Sequence, residues 1–169
     1  MSARILDGEV IAQSIKEEIA TRTINRVNDG HRPPGLAIIL VGDDPSSHVY
    51  VRLKKKDCEM VGFHTEIRLF DESASENEVI SCVQGFNRNE NINGILVQLP
   101  LPAQIDALTV IKTINPEKDV DGIHPYNLGM LALRAPAIRS CTSKGIMSLL
   151  GQTGIPIRGL DATVVGASN

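Results

Sequence analysis

Four polar residues of this sequence could do chemistry if the fold brings them together: Tyr50, Lys54, Gln98 and Asp121. Tyr50 and Lys54 are four residues apart, so a helix places them on one face. A lysine that is partly withdrawn from water can transfer protons near neutral pH. Gln98 is an amide in an apolar segment, and Asp121 is a carboxylate in a polar loop. None of these residues establishes a function by itself.

Each candidate also has an ordinary structural interpretation. Gln98 could cap the backbone, Lys54 could lay its aliphatic stem over apolar surface, and Tyr50 could belong to the core. Asp121 precedes a glycine, and Asp-Gly is typical of turns. The residues alone therefore leave both kinds of interpretation open.

The segment around Lys54 is predicted to be a helix that ends at Gly62. Ser46 and Ser47 are candidate caps for its amino end. At helical spacing, one broad apolar arc contains Val49, Tyr50, Leu53, Met60 and Val61. Lys54 falls at the margin of this arc, so we expect the arc to face the core and the lysine to be partly buried.

Gln98 lies in a segment typical of a strand that is buried on both faces of a parallel sheet, because residues 95–97 are uniformly apolar. Pro100 cannot donate to a sheet ladder, so we expect the strand, residues 94–99, to stop at about Leu99. Ligands of open α/β sheets bind beyond the carboxyl ends of the strands. A buried amide without a partner costs about 1–3 kcal/mol, so Gln98 needs a partner there.

Helical and strand patterns alternate along the chain. Helices are predicted over residues 9–28, 46–61, 105–114 and 143–150, with one more after Ser75, and strands over residues 36–41, 64–70, 94–99 and 162–165. Ser75 and Glu78 form a capping box, and Ser143 is a candidate cap for the last helix. This alternation predicts the α/β class, with a mostly parallel sheet flanked by helices. The polar loop at residues 115–122 contains two carboxylates without an evident partner.

Residues 162–169 are typical of a strand that enters a glycine turn, Gly166-Ala167-Ser168. Small residues in such a turn let a phosphate approach the next helix, although a single glycine by itself favours an ordinary strand–turn. The helix that would hold the phosphate is not among the 169 residues. We therefore interpret the chain as one domain, residues 1–139, followed by the truncated start of a Rossmann domain, residues 140–169.

The composition limits the classes of function. The chain is 42% hydrophobic and 22% charged, as is typical of globular proteins. A net charge of −3 and 3% aromatic residues argue against a nucleic-acid partner, and no apolar run approaches the ~20 residues of a membrane span. The cysteines, Cys58, Cys82 and Cys141, are widely spaced, as expected of reduced thiols in the cytoplasm; Cys141 is interpreted as a buried small hydrophobe. The histidines have no metal-ligand spacing, so we predict no metal site.

Six segments carry signatures that occur together, in the same order, in one known family: residues 41–54, 94–102, 116–122, 124–127, 141–145 and 164–168. On these residues the chain resembles the bifunctional methylenetetrahydrofolate dehydrogenases/methenyltetrahydrofolate cyclohydrolases over essentially its whole length. Two departures are evident. Ser140 and Ser143 replace the prolines of the family's Pro-Cys-Thr-Pro signature, and a later Gly-Gly-Val-Gly-Pro signature is missing.

The resemblance implies a role for each candidate. Lys54 would be the catalytic group, Gln98 would pair with it and tune it, and Tyr50 would stack on the folate. The implied substrate-binding residues are Tyr50, Lys54, Gln98, Leu99, Pro100 and Asp121, with Asp121 on the pterin ring. The implied NADP-binding residues are Gly166, Ala167 and Ser168.

The implied activity is NADP-dependent oxidation of methylenetetrahydrofolate, followed by hydrolysis of the methenyl product to formyltetrahydrofolate. The resemblance also implies one-carbon metabolism for purine, methionine and histidine biosynthesis, a cytoplasmic location and a homodimer. We expect the 169 residues alone not to support the dehydrogenase step. Two alternatives stay open: a folate-binding or partner-binding module without turnover, and a two-domain dehydrogenase that acts on an unrelated small acid.

Overall fold

The structure, a computed structural model, describes residues 5–166. Over that range the elements are α1 (Gly8–Asn28), β1 (Gly35–Val41), α2 (Pro45–Met60), β2 (His64–Phe70), α3 (Glu76–Arg88), β3 (Gly94–Val97), α4 (Ala107–Thr113), α5 (Pro125–Ala132) and α6 (Cys141–Gly151). Among these described residues, no helix combines the length and the apolar character needed to cross a membrane.

The three strands form one parallel sheet in the order β2-β1-β3. Ile38 of the central strand is opposite Ile67 on one side and Leu96 on the other. The predicted α/β class is therefore confirmed, and β2 is an edge strand as its alternating sequence indicates. Because all three strands run the same way, their carboxyl ends meet at one edge of the sheet, where a ligand can bind.

Both faces of the sheet are covered. One face carries the larger core cluster, in which Ile39 and Val97 of the sheet pack with residues such as Val79 of α3 and Val110 of α4. The other face carries a smaller cluster: Ile38, Leu40, Val51 and Leu96. Val51 belongs to α2, and its contact with these sheet residues fixes the position of the helix beside the strand ends.

The start of α2 differs from the prediction. Asp44, and not Ser46 or Ser47, is the cap, and its carboxylate accepts a hydrogen bond from the backbone N–H of Ser47 at 2.7 Å. Pro45 occupies the first helical turn, where its missing N–H costs nothing and its fixed φ favours the helix. The capping box of Ser75 and Glu78 at the start of α3, in contrast, is confirmed.

The predicted apolar arc of α2 does not face the core. Val49, Tyr50, Leu53 and Met60 are 42%, 57%, 49% and 47% exposed, and of this arc only Val61, at the cap position after the helix, is buried. The buried residues of this helix are Ser47, Val51 and Cys58. These residues form a second stripe along α2, and Lys54 lies on it at the spacing 47-51-54-58. Lys54 itself is half-buried. Both stripes have helical periodicity, so only contact with the sheet decides which one is buried.

The carboxyl-terminal elements also correct the prediction. Residues 160–166 form no strand, and Val164 and Val165 are 88% and 95% exposed, because no neighbouring strand pairs with them. Ser143 lies inside α6 and does not cap it; Ser140 is in the cap position and makes no side-chain cap hydrogen bond. Helix α5 was not predicted from the sequence.

Gly35 lies where β1 meets the loop before β3, and a Cβ atom there would overlap the backbone carbonyl of Asn91. Gly85 in α3 has nothing within 4 Å of its Cβ position. We expect Gly35→Ala to lower the free energy of unfolding by about 2 kcal/mol or more, since backbone must move. Gly85→Ala is expected to raise it by about 0.5–1 kcal/mol. Urea denaturation measures the free energy of unfolding of both variants. A small change for Gly35→Ala, similar in size to that of Gly85→Ala, would contradict the close contact between Gly35 and Asn91.

Candidate functional site

The amine of Lys54 and the amide of Gln98 meet at the carboxyl edge of the sheet. Lys54 Nζ donates to Gln98 Oε1 at 2.9 Å. Gln98 follows the last residue of β3; its Nε2 donates to the carbonyl of Leu99 at 2.8 Å, and its backbone N–H donates to the carbonyl of Ile39 at 2.8 Å. The glutamine thus caps the backbone with one end of its amide and orients the lysine with the other. The backbone-capping interpretation of Gln98 is confirmed, and the same side chain also contacts Lys54.

The carboxyl group of Asp121 belongs to the same crevice. It is half-buried, and this burial is the main cause that raises its pKa. The positive charge of Lys54 opposes the shift, and the negative charge of Asp119 adds to it. The amine of Lys54 therefore lies close enough to the Asp121 carboxyl for its charge to influence the pKa of that group.

A pocket of about 240 Å³ opens beside these groups, beyond the end of β3. It is lined by Val97, Leu99, Asp121, Ile123, Ser140, Cys141 and Thr142. Apolar walls with a few convergent polar groups are typical of a small-molecule site. The lining residues 123 and 140–142 were not among the predicted site residues, because their approach depends on how α6 packs.

Pro100 faces a different depression, of about 350 Å³, which it shares with the end of β1 and with Glu72. The structure therefore brings Lys54, Gln98, Leu99 and Asp121 together and places Pro100 next to them across the strand ends. Tyr50 precedes Lys54 by one helical turn, and its 57% exposure excludes the interpretation as a core tyrosine.

A larger cavity of about 560 Å³ lies at the opposite edge of the sheet. It is lined by Ile19, Arg22, Thr23, Arg26, Pro34, Phe63 and Asn93, none of which was predicted to act in a site. Its wall includes residues that come just before the strands. Ligands of open α/β sheets bind at the carboxyl edge, so the smaller pocket is the candidate.

Cys141 lines the pocket instead of filling the core, and the residue as a whole is exposed. Its thiol donates to the carbonyl of Val120 at 3.2 Å. Burial of the sulfur atom and then the charge of Asp121 raise the pKa of this thiol. A thiol that keeps its proton is a poor nucleophile, which agrees with the sequence-based view that Cys141 is not one.

The predicted cofactor residues lie at the limit of the described chain. Gly166 has a φ of 136°, and its Cβ position meets nothing within 4 Å. Ala167 and Ser168 lie outside the described residues. Residues 160–166 form neither a strand nor a helix start that could hold a phosphate. Within residues 5–166, the segment that precedes these positions therefore shows no phosphate-binding turn.

One carboxylate of the loop before α5 has partners that the sequence did not reveal. Asp119 is 1% exposed and accepts hydrogen bonds from the backbone N–H groups of Gly122 and His124 and from Asn127 Nδ2. The expectation that this carboxylate has no partner is wrong. Two of its donors come from residues beyond the loop, so only the folded position of α5 shows the contact.

Comparison with known proteins identifies the family of the chain. The sequence model of the tetrahydrofolate dehydrogenase/cyclohydrolase catalytic domain matches residues 6–121, which include Lys54, Gln98 and Asp121. The chain belongs to this family. The resemblance stated from the sequence is thereby confirmed.

Solved structures of the tetrahydrofolate dehydrogenase/cyclohydrolase family have the same fold. The bifunctional methylenetetrahydrofolate dehydrogenase/cyclohydrolase FolD of Campylobacter jejuni is 38% identical, with a TM-score of 0.95 over 99% of this chain and 59% of that chain. The Trypanosoma brucei dehydrogenase-cyclohydrolase, complexed with NADP and an inhibitor, is 34% identical, with a TM-score of 0.89 over 94% and 55%. A silkworm methylenetetrahydrofolate dehydrogenase is 38% identical, with a TM-score of 0.88 over 91% and 53%. The chain thus spans 53% to 59% of the length of these relatives.

The electrostatic contact between Lys54 and Asp121 can be tested without any ligand. Since the charge of Lys54 lowers the pKa of Asp121, we expect Lys54→Gln to raise that pKa further. Lys56→Gln removes the same charge from the exposed side of α2 and should leave the titration unchanged. The measurement is the pH titration of the Asp121 carboxyl ¹³C shift by NMR. An unchanged midpoint in Lys54→Gln would show that the two groups do not share a crevice.

Proposed function

We propose that the crevice at the carboxyl edge of the sheet binds tetrahydrofolate derivatives, and that Lys54 moves protons during hydrolysis of methenyltetrahydrofolate. One observation carries the proposal: the Lys54 amine is held 2.9 Å from Gln98 Oε1 at the end of β3, where its charge also acts on the pKa of the Asp121 carboxyl. Family membership supports it, because the Campylobacter jejuni relative is a methylenetetrahydrofolate dehydrogenase/cyclohydrolase.

The remaining side chains suit the parts of a folate. The carboxylate of Asp121 accepts hydrogen bonds, as the N–H edge of a pterin requires. Tyr50 presents an exposed ring one turn before the lysine, and aromatic rings stack on flat ligands. Leu99 supplies an apolar wall. Pro100 would contact a substrate that extends across the strand ends into the adjoining depression.

The chemistry assigned to Lys54 is proton transfer. In the hydrolysis, water adds to the methenyl carbon, one carbon–nitrogen bond breaks, and one proton is released overall. A neutral amine within reach of the attacking water can take its proton. Gln98 accepts a hydrogen bond from this amine and thereby fixes its position in the crevice.

The dehydrogenase step and its cofactor are part of the same proposal. The Trypanosoma brucei relative binds NADP, which supports NADP as the cofactor of the complete reaction. The described residues form no dinucleotide site, so we assign none of them to that step.

The division into residues 1–139 and 140–169 stays a prediction, as does the failure of these 169 residues alone to form NADPH. One-carbon metabolism for purine, methionine and histidine biosynthesis, a cytoplasmic location and a homodimer rest on the family resemblance.

The role of Lys54 predicts a specific loss of turnover. On the chain extended to the full length of its family, Lys54→Gln should slow methenyltetrahydrofolate hydrolysis by about 100-fold or more, the usual contribution of a general base. Folate binding should be retained, because the substituted side chain still reaches the crevice. Lys56→Gln is the matched control and should keep the parent rate. The absorbance of the methenyl substrate measures the reaction.

Other outcomes have definite meanings. If Lys54→Gln is as fast as the parent, the lysine only covers apolar surface and the proposal for it fails. If neither parent nor variant turns over while both bind folate, the protein is a binding module without turnover. If folate does not bind, the family's substrate does not apply to this chain.

A further inference from the structure

Asp119 is a buried carboxylate to which the proposed chemistry gives no role. It is 1% exposed, and its described partners are N–H donors only. Its Oδ1 accepts from Gly122 N at 3.1 Å, and its Oδ2 accepts from His124 N at 2.8 Å. Burying a carboxylate is costly unless such donors replace the lost water, so these three hydrogen bonds compensate for the burial of Asp119.

The two backbone donors lie on either side of the Asp121 turn. Gly122 directly follows Asp121, and His124 comes two residues later, so the turn wraps around the buried carboxylate. Asp119 itself is fixed to the sheet, since it forms an isolated parallel bridge with Ile95 of β3. The position of Asp121 relative to the strand end is therefore set through Asp119.

Asn127 completes the arrangement from α5. It is 3% exposed, and its Nδ2 donates both to Asp119 Oδ2 and to the carbonyl of Pro116, each at 2.9 Å. The amide thus joins the start of the loop, the buried carboxylate and the next helix. A carboxylate at 127 would place like charges together, so the amide is specific as well.

The other side of the turn is closed by backbone. Gly122 has a φ of 67°, and a Cβ atom there would overlap the backbone of Arg139 and Ser140. The thiol of Cys141 donates to the carbonyl of Val120, just before Asp121. The turn is held between the Asp119 carboxylate and the start of α6, which leaves it little freedom to adjust.

We infer that Asp119, together with Asn127, is a positioning residue that fixes the Asp121 turn for contact with the substrate. This inference rests on the proposed function, because it takes Asp121 as the group that binds the pterin. Asp119 acts through Asp121 and touches no substrate itself.

An amide at 119 cannot satisfy the same donors. In Asp119→Asn, the NH₂ group would face Gly122 N in one orientation, and His124 N with Asn127 Nδ2 in the other. The first orientation sets the NH₂ group against one donor and the second sets it against two, so the turn must shift in either case. A shift of this turn moves Asp121 while leaving Lys54 and Gln98 in place, because they belong to other elements.

The test is a double-mutant cycle on folic acid binding, measured by calorimetry with the parent, Asp119→Asn, Asp121→Asn and the double variant. We expect Asp119→Asn to weaken binding by about tenfold or more, as for loss of a buried charged acceptor. In the Asp121→Asn background the same change should have almost no further effect, because the residue it positions is already lost. Glu117→Gln removes an exposed carboxylate from the same loop and should bind like the parent.

Equal weakening of binding in both backgrounds would overturn the inference, since it would show a general structural role for Asp119. No weakening of binding by Asp119→Asn would overturn it as well. If Asp119→Asn does not fold, Asn127→Ala replaces it in the same cycle, with the same non-additivity expected. If the parent does not bind folic acid, or Asp121→Asn binds it like the parent, the proposed folate site itself fails. That result is distinct from a failure of positioning alone.

Discussion

The hydrogen bond from the Lys54 amine to the Gln98 carbonyl oxygen joins two elements that are far apart in sequence, and the site depends on it. β3 ends at Val97, two residues before the predicted end at Leu99, and Gln98 directly follows it with its backbone N–H still bonded to Ile39. Pro100 has no N–H with which to extend the ladder. Lys54 reaches Gln98 only because the stripe of α2 with Val51 packs on the sheet. The parallel sheet thus supplies the edge, and the two side chains supply the chemistry.

The second half of the site is built by a loop. Asp121 lies outside any helix or strand. Its turn is held on one side by backbone N–H groups that donate to the buried Asp119 carboxylate, and on the other side by contact with the start of α6. Burial raises the pKa of Asp121, while the nearby lysine limits that shift. The crevice therefore pairs a helix-borne amine with a loop-borne carboxyl across the end of a strand.

Local signals in the sequence predicted the three strands of the sheet, most of the helices and the position of Gln98 near a strand end, because apolar runs and prolines act within a few residues. The buried stripe of α2 could not be predicted, since two stripes have helical spacing and packing chooses between them. The predicted strand at residues 162–165 lacked a partner, which no local pattern can reveal. Asp119 was missed for the same reason, because its partner Asn127 belongs to a helix that the sequence did not show.

The most direct test is a crystal structure of this protein with a bound tetrahydrofolate analogue. The account predicts the pterin edge on the Asp121 carboxyl and the one-carbon position within hydrogen-bond reach of the Lys54 amine, with Gln98 still its partner. An analogue bound in the larger cavity at the opposite edge of the sheet, or one whose pterin lies away from Asp121, would contradict the account.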